Sequence, residues 1–313
     1  MKMKKLTGIL MAGMLMASMA GCGAVSVDGE TKTDAPAASE DGEGAGGSGA
    51  IGLAVSTLNN PFFVTLSEGA QAAAKEQNVE LIVVDAGDDA AKQTNDIEDL
   101  VSRNISVLIV NPVDSDAVAP AVKDAVAKGI KVVSVDRVVN GVDVDCAIAS
   151  DNVAGAQAAT EYLVSLVGEG ANVAELQCVS GASATIDRGQ GFHNVADEKL
   201  DVVSSQTANF NRSEGMTVME NMLQANADIL GVFAHNDEMA LGAVEAIGGK
   251  EIVVVGFDGT DDALTAVSEG RMAATVAQKP DLMGATAVET AAKLMAGETV
   301  EKEIPVEVEL VTE

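Results

Sequence analysis

The stretch IGLAVSTLNNPFF, Ile51 to Phe63, reads as a buried β-strand that runs into a polar loop and opens a helix. Ile51, Leu53 and Val55 form the apolar, partly β-branched run of a strand covered on both faces. Ser56, Thr57, Asn59 and Asn60 then set hydrogen-bonding side chains at its carboxyl end. Asn60 before Pro61 is a helix start: the Asn side chain can cap the first turn, and proline at the first helical position has its φ already set. Open α/β sheets bind ligands beyond the carboxyl ends of their strands, which makes this loop the first candidate binding site. Phe62 and Phe63 stand just beyond it, in a chain with six phenylalanines, one tyrosine and no tryptophan.

Working outward, Val79–Asp85, Val107–Asn111, Lys131–Asp136 and Val144–Ser150 read as further strands. Between them, Phe63, Leu66, Ala70 and Ala73 share one helix face. Val118, Val122, Ala125 and Val126 share another, closed by Gly129. Asn152 opens a helix that runs through Val167. A similar series follows, with strands at Asn172–Gln177, Val202–Thr207, Ile229–His235, Glu251–Phe257 and Met272–Gln278. Its helices are expected around Gly191–Leu200, Glu214–Gln224, Glu238–Ile247, Asp261–Glu269 and Asp281–Met295, with a last alternating strand at Val306–Val311. Strands alternating with helices imply right-handed βαβ units and parallel sheets. About ten strands are more than one small sheet holds. The expected fold is therefore α/β, with two doubly wound parallel-sheet lobes.

The totals agree with this reading. A chain of 313 residues, 47% apolar and 21% charged, has material for two modest cores. Its formal charge of −29 repels nucleic acid and anionic membrane surfaces, so no nucleic-acid partner is expected. A solvated acidic surface that aids solubility is the plain explanation of the charge.

The first residues read as targeting. Lys2, Lys4 and Lys5 precede an apolar run, Leu6 to Met19, too short to span a bilayer comfortably. Met19-Ala20-Gly21-Cys22 is similar to a lipobox, with Cys22 as the thiol that would carry the lipid and become the new N-terminus. Residues 1–21 are thus expected to be a lipoprotein signal peptide. Residues 22–49, rich in Gly, Ala, Ser, Thr and acids, cannot build a core and are expected to be a flexible acidic tether. Glycines within it imitate a phosphate-binding loop in composition only, because they precede a strand instead of following one. Cys146 and Cys178 fit either a disulfide of an exported protein or two buried thiols.

The residues that stop the strands carry the chemistry: Asp136-Arg137, Asn236-Asp237, Phe257-Asp258 and Gln278. Phe62, Phe63, Phe210 and Phe257 are expected in strand-end loops too, where ring stacking competes with ordinary core packing. Such a set suits a neutral polyol. A sugar offers apolar C–H faces to rings and hydroxyls to Asn, Gln, Asp and Arg, which donate and accept between them. Asp136 with Arg137, and Asp258 with Arg188, could neutralise one another if buried; a surface ion pair is the alternative for the first.

In order, VSTLNNPFF, VNPVDSDA, VDR, IASDN, ELQ, RGQGF, NDEMALGA, VVGFDGT and ATVAQ closely resemble the ribose-binding branch of the type I periplasmic solute-binding family. The likeness runs from about Ile51 to Val311. It implies two lobes joined by a three-segment hinge, with residues 50–150 and 279–305 in the N-terminal lobe and 151–278 and 306–313 in the C-terminal one. Crossings are implied near Ser150–Asn152, Gln278–Pro280 and around Pro305. It implies a ligand site of Ser56, Asn60, Phe62, Phe63, Asp136 and Arg137 from the first lobe, and Arg188, Phe210, Asn236, Phe257 and Asp258 from the second. Gln278 falls at the hinge. None of these residue types departs from the family; the lipobox, the acidic tether, Cys146, Cys178 and His235 do.

The resemblance implies an extracytoplasmic lipoprotein that closes on D-ribose and delivers it to an ABC permease. In some relatives a chemoreceptor also reads the closed form. Allose, another aldose or a furanosyl signal molecule would require only altered contacts. An enzyme is not expected. His193 and His235 are the only histidines, and no catalytic triad order, metal-ligand spacing or phosphate loop after a strand is present, so no cofactor or metal is called for. A monomer anchored to the outer face of the cytoplasmic membrane is the expected form.

Overall fold

A computed structural model describes residues 49–312. The signal segment, Cys22 and the tether up to residue 48 lie outside these residues. The chain first lays down β1 (Ile51–Val55), α1 (Pro61–Glu76), β2 (Leu81–Asp85), α2 (Ala90–Ser102), β3 (Val107–Val110), α3 (Ala119–Ala127), β4 (Lys131–Val135) and β5 (Cys146–Ser150). It continues with α4 (Asn152–Val167), β6 (Ala171–Gln177), α5 (Ser183–Lys199), β7 (Leu200–Thr207), α6 (Arg212–Ala225) and β8 (Gly231–Ala234). Then come α7 (Asp237–Ile247), β9 (Val253–Asp258), α8 (Asp261–Ser268) and β10 (Ala274–Ala277), followed by α9 (Pro280–Met295), β11 (Glu303–Val306) and β12 (Glu309–Thr312).

Two six-stranded sheets result, in the orders β2-β1-β3-β4-β5-β11 and β7-β6-β8-β9-β10-β12. Every recorded pairing is parallel except that of β10 with β12. Both sheets are doubly wound, so each has a point where the strand order reverses, at β1/β3 and at β6/β8. Loops leaving the carboxyl ends there diverge to opposite faces and leave a crevice.

Each sheet carries helices on both faces, which explains the unbroken apolar runs. In the first lobe, Phe62, Leu66 and Ala70 of α1 pack with Met283, Val288 and Ala291 of α9 on one face. Ile97 and Leu100 of α2 and Val122 of α3 cover the other. Helices α6, α7 and α8 cover one face of the second sheet, and α4 and α5 the other. Removing Leu53, which is fully buried, down to alanine would cost about 2–5 kcal/mol. Helices α1 and α9 touch through glycines: a Cβ at Gly69 would lie 2.2 Å from the Asp281 carbonyl oxygen, and one at Gly284 2.0 Å from that of Leu66.

Several boundaries differ from the sequence reading. The final run at Val306–Val311 corresponds to β12, and β11 precedes it in the other sheet, so the chain passes between sheets at Glu307–Val308, close to Pro305. Pro305 is tolerated because β11 is an edge strand. Helix α5 begins at Ser183, two turns before the expected Gly191, because Gly189 and Gly191 weaken its helical signature. Helix α2, capped by Asp89, joins the set. Val126 is 41% exposed, so the buried face of α3 is Ala119, Ala121, Val122 and Ala125. Phe62 and Phe63 belong to the first turn of α1 and Phe257 to β9; only Phe210 sits in a loop.

Candidate functional site

The site forms where the two strand-order reversals face each other. After β1, Asn60 caps α1 with its side-chain oxygen, which accepts from Phe62 N–H at 2.9 Å. After β8, Asn236 caps α7 in the same way, accepting from Met239 N–H at 3.1 Å. An asparagine at each strand end thus starts a helix and keeps its amide nitrogen for other use. Between the lobes, Asn60, Phe62, Phe63, Asp136, Arg137, Ala184, Arg188, Phe210 and Asp258 converge on a cavity that their own side chains nearly fill, leaving about 10 Å³ of free space. Eight of these were singled out from the sequence; Ala184 was not. Asn60 and Phe210 also line a wider hollow with Thr57, Asp88 and Arg212.

Arg137 lies between rings from both lobes, its guanidinium carbon 5.1 Å from the centre of Phe63 and 4.5 Å from that of Phe210. Its Nη1 donates to the Pro112 carbonyl at 2.8 Å, and its Nε lies 3.5 Å from Asp136 Oδ2. Both charges are buried, so the pair is not a surface ion pair. Arg188, carried on α5, lies 3.9 Å over Phe257. Its Nε donates to Asn152 Oδ1 at 2.8 Å, and Nη1 to the His235 carbonyl at 2.6 Å and Asp258 Oδ1 at 3.3 Å.

Four singled-out residues stand behind the cavity wall. Phe257 is fully buried beneath Arg188. Gln278 donates to Asp258 Oδ1 at 2.9 Å. Ser56 and Asn236 are fully buried. Among the described residues, the buried side-chain polar atoms with no partner include Ser56 Oγ, Arg137 Nε, Asn236 Nδ2 and Gln278 Oε1. Buried polar atoms are normally paired, and four of the six unpartnered ones among the described residues belong to side chains singled out from the sequence.

Burial dominates the electrostatics. It pushes the Asp258 carboxyl up to about 8, against the pull of Arg188 and with the help of the Asp237 and Asp136 charges. Burial likewise raises Asp136 against Arg137, and lowers Arg137 against Asp136. Desolvation outweighs the attraction because the pair meets only at 3.5 Å. Backbone strain gathers here too: Asp136 (φ +65°), Asn209 (+52°), Phe210 (+60°) and Asp258 (+135°) are all non-glycine residues at positive φ.

Several supporting residues escaped the sequence reading. Asn111 accepts from Ser56 N–H at 3.1 Å and donates to Asp136 Oδ2 at 3.0 Å, tying β1 to the charge pair. It stops β3 as Asn60 follows β1, so the same logic of polar strand ends would have found it. Asn152, which holds Arg188, had shown only as a helix start. Asp237, singled out with Asn236 as a strand-stopping residue, turns inward to the framework: it accepts from the Thr275 hydroxyl at 2.6 Å and the Thr260 N–H at 2.8 Å. Within the second lobe, fully buried Glu175 bonds His235 Nε2 at 2.8 Å, making His235 a core histidine. Burial lowers the His235 pKa; it raises that of Glu175, but bonds from His235 and Ser205 bring Glu175 below its ordinary value. Cys146 and Cys178 are buried free thiols.

Residues 51–299 match the model of the periplasmic binding protein domain family. The chain is 51% identical over 265 residues to the ribose import binding protein of Bacillus subtilis (strain 168), covering 84% of this chain and 87% of that one. It is 48% identical over 265 residues to the ribose import binding protein of Escherichia coli (strain K12), covering 83% and 90%. Among solved structures, an ABC transporter solute binding protein from Bacillus halodurans C-125 with bound myo-inositol matches with a TM-score of 0.81 at 33% identity, covering 85% of this chain and 95% of that one. A periplasmic solute binding protein from Actinobacillus succinogenes 130z with bound D-allose matches at 0.78 and 29%, covering 84% and 97%.

Proposed function

The chain belongs to the periplasmic binding protein domain family, and from that premise we propose that it captures D-ribose between its lobes and delivers it to an ABC import permease. It is a binding protein and not an enzyme. The observation that carries the ligand class is the pair of buried arginines, one from each lobe, laid on phenylalanine rings around one cavity that also receives Asp136, Asp258 and Asn60. Guanidinium groups donate to adjacent ring hydroxyls, carboxylates accept from them, and phenylalanine faces meet the C–H surface of a small sugar ring. A ligand touching both lobes binds the closed form better than the open one and shifts the population towards it. The names of the relatives support ribose. Calorimetry tests it: D-ribose binds, and an absence of heat and of thermal stabilisation with D-ribose would overturn the reading.

Solved relatives that hold D-allose and myo-inositol favour a second reading, in which the same site takes another small polyol. A competition panel of D-ribose, D-allose and myo-inositol separates the two.

The protein acts outside the cytoplasm as a monomer, held to the membrane by a lipid on Cys22, and its closed form is what a permease or a chemoreceptor reads. Among the described residues no helix is long and apolar enough to cross a membrane. Cys22→Ala should release the protein from the membrane fraction; continued retention would remove the anchor.

A further inference from the structure

The lobes meet at a second place, beside the cavity: Val138 and Ser183 adjoin the lining residues Arg137 and Ala184. The loop after β3 carries Ser115, fully buried, and the loop after β6 leads through Gly181 into α5. Ser115 N–H donates to the Gly181 carbonyl at 2.9 Å. Ser183 N–H donates to Ser115 Oγ at 3.2 Å, and Val138 N–H donates to Ser183 Oγ at 3.1 Å. All three bonds run from one lobe to the other.

The middle bond explains why this pairing matters. The first N–H groups of a helix have no partner within it and need a cap. At the head of α5 the N-cap position is Ala182, whose side chain cannot accept a hydrogen bond, and no side-chain cap comes from it. Ser115 supplies the missing oxygen from the opposite lobe. Helix α5 is the one that carries Arg188 to the cavity.

The approach is close enough to demand glycine. A Cβ on Gly181 would lie 1.8 Å from Asp114 Oδ2 and 2.5 Å from its Cγ. Asp114 cannot simply swing away, because its Oδ1 accepts from the Asp116 and Ala117 N–H groups at 2.9 and 2.8 Å.

We propose that Ser115 and Ser183 form a clasp between the lobes, with Ser115 capping α5 across the cleft, that sets the affinity for sugar without contributing to the choice of sugar. The proposal rests on the reading of the protein as a sugar binder. Neither serine lines the cavity. Losing the clasp therefore removes the same increment from the closed form whichever ligand is inside, and the loss falls mainly on the rate of release.

The test uses the full chain, native and as Ser115→Ala, Ser183→Ala and Gly181→Ala, with D-ribose and D-allose as probes. Calorimetry and stopped-flow release should show Ser115→Ala about two- to thirty-fold weaker for each sugar that binds, the range of a lost helix cap, with equal factors for both. Gly181→Ala, which wedges the clasp without touching the cavity, should weaken binding in the same proportion for each sugar. It should also enlarge the radius of gyration measured by small-angle scattering without sugar. Unchanged affinities in both variants, or a loss for one sugar and not the other, would overturn the clasp. If the native chain binds no sugar, the functional reading fails, and scattering alone decides the clasp: equal radii for native and Gly181→Ala would overturn it. Should Gly181→Ala not fold, the Ser115→Ala and Ser183→Ala affinities decide.

Discussion

Each lobe brings an aspartate and an arginine to the cavity, but the two pairs are built differently. In the first lobe Asp136 and Arg137 are neighbours in sequence, and the backbone at Asp136 is strained to bring both inward. Arg137 has one hydrogen bond, to the Pro112 carbonyl; two aromatic faces hold the rest, and its Nε is unpartnered. In the second lobe Arg188 and Asp258 come from α5 and β9, seventy residues apart, and Arg188 also bonds Asn152 and the His235 carbonyl above Phe257. A guanidinium has five donors. The second lobe has committed most of the polar capacity of its arginine to its own framework, whereas the first lobe has left its arginine free to answer a ligand. One pair is mainly scaffold and the other mainly hand.

The sharpest way to break that contrast is Arg188→Ala. It takes a buried donor from Asn152 Oδ1, the His235 carbonyl and Asp258 Oδ1 together, and it should cost about 3–5 kcal/mol of folding stability in urea unfolding as well as sugar binding. Native-like stability would make the two lobes equivalent. Arg137→Ala should show the opposite balance, losing about 2–5 kcal/mol of binding by calorimetry while stability falls by no more than about 1 kcal/mol. An unchanged dissociation constant would remove Arg137 from the site.

A pH series sharpens the scaffold half. Burial raises the Asp258 pKa from 3.8 to about 8, so folding favours the protonated carboxyl. The stability this gives is complete below the unfolded value and is lost as pH rises through the folded one. The unfolding free energy of the native protein, taken relative to Asp258→Asn, should therefore decline from pH 4 to 9. A flat difference would show that the carboxylate ionises inside without penalty. The smallest expected effect belongs to Asn60→Ser. Serine keeps the cap on α1 but loses the amide nitrogen beside the cavity, so binding should weaken by about 1 kcal/mol with stability nearly unchanged.

Much of this was legible along the chain. Strand ends marked by Asn60, Asp136, Asn236 and Asp258 could be read because a buried apolar run that stops on a polar residue is a local pattern. Asn111 escaped although its position is equivalent, since a lone Asn before proline also reads as a turn. Helix α5 was shortened because its glycines, needed for contact with α4, hide its period: a Cβ at Gly191 would sit 2.3 Å from the Val153 carbonyl oxygen. Strand β11 went unread because two short edge strands separated by two residues look like one alternating run. Glu175 stood in the ELQ motif with no role read for it, since a carboxylate in the middle of an apolar strand announces no partner, and His235 lies sixty residues away.

By itself, then, the order of amino acids determined the alternation of strands and helices, the two similar series, and which side chains had the hydrogen-bonding capacity for a polyol. Those properties depend on neighbours within a few residues. Only the tertiary structure decided that Arg188 also holds Asn152 and the His235 carbonyl, that Phe210 closes over Arg137 from the far lobe, and that Ser115 caps a helix to which it is not connected. Such pairings arise when two reversed strand orders are brought face to face, and no local periodicity records a partner so distant along the chain.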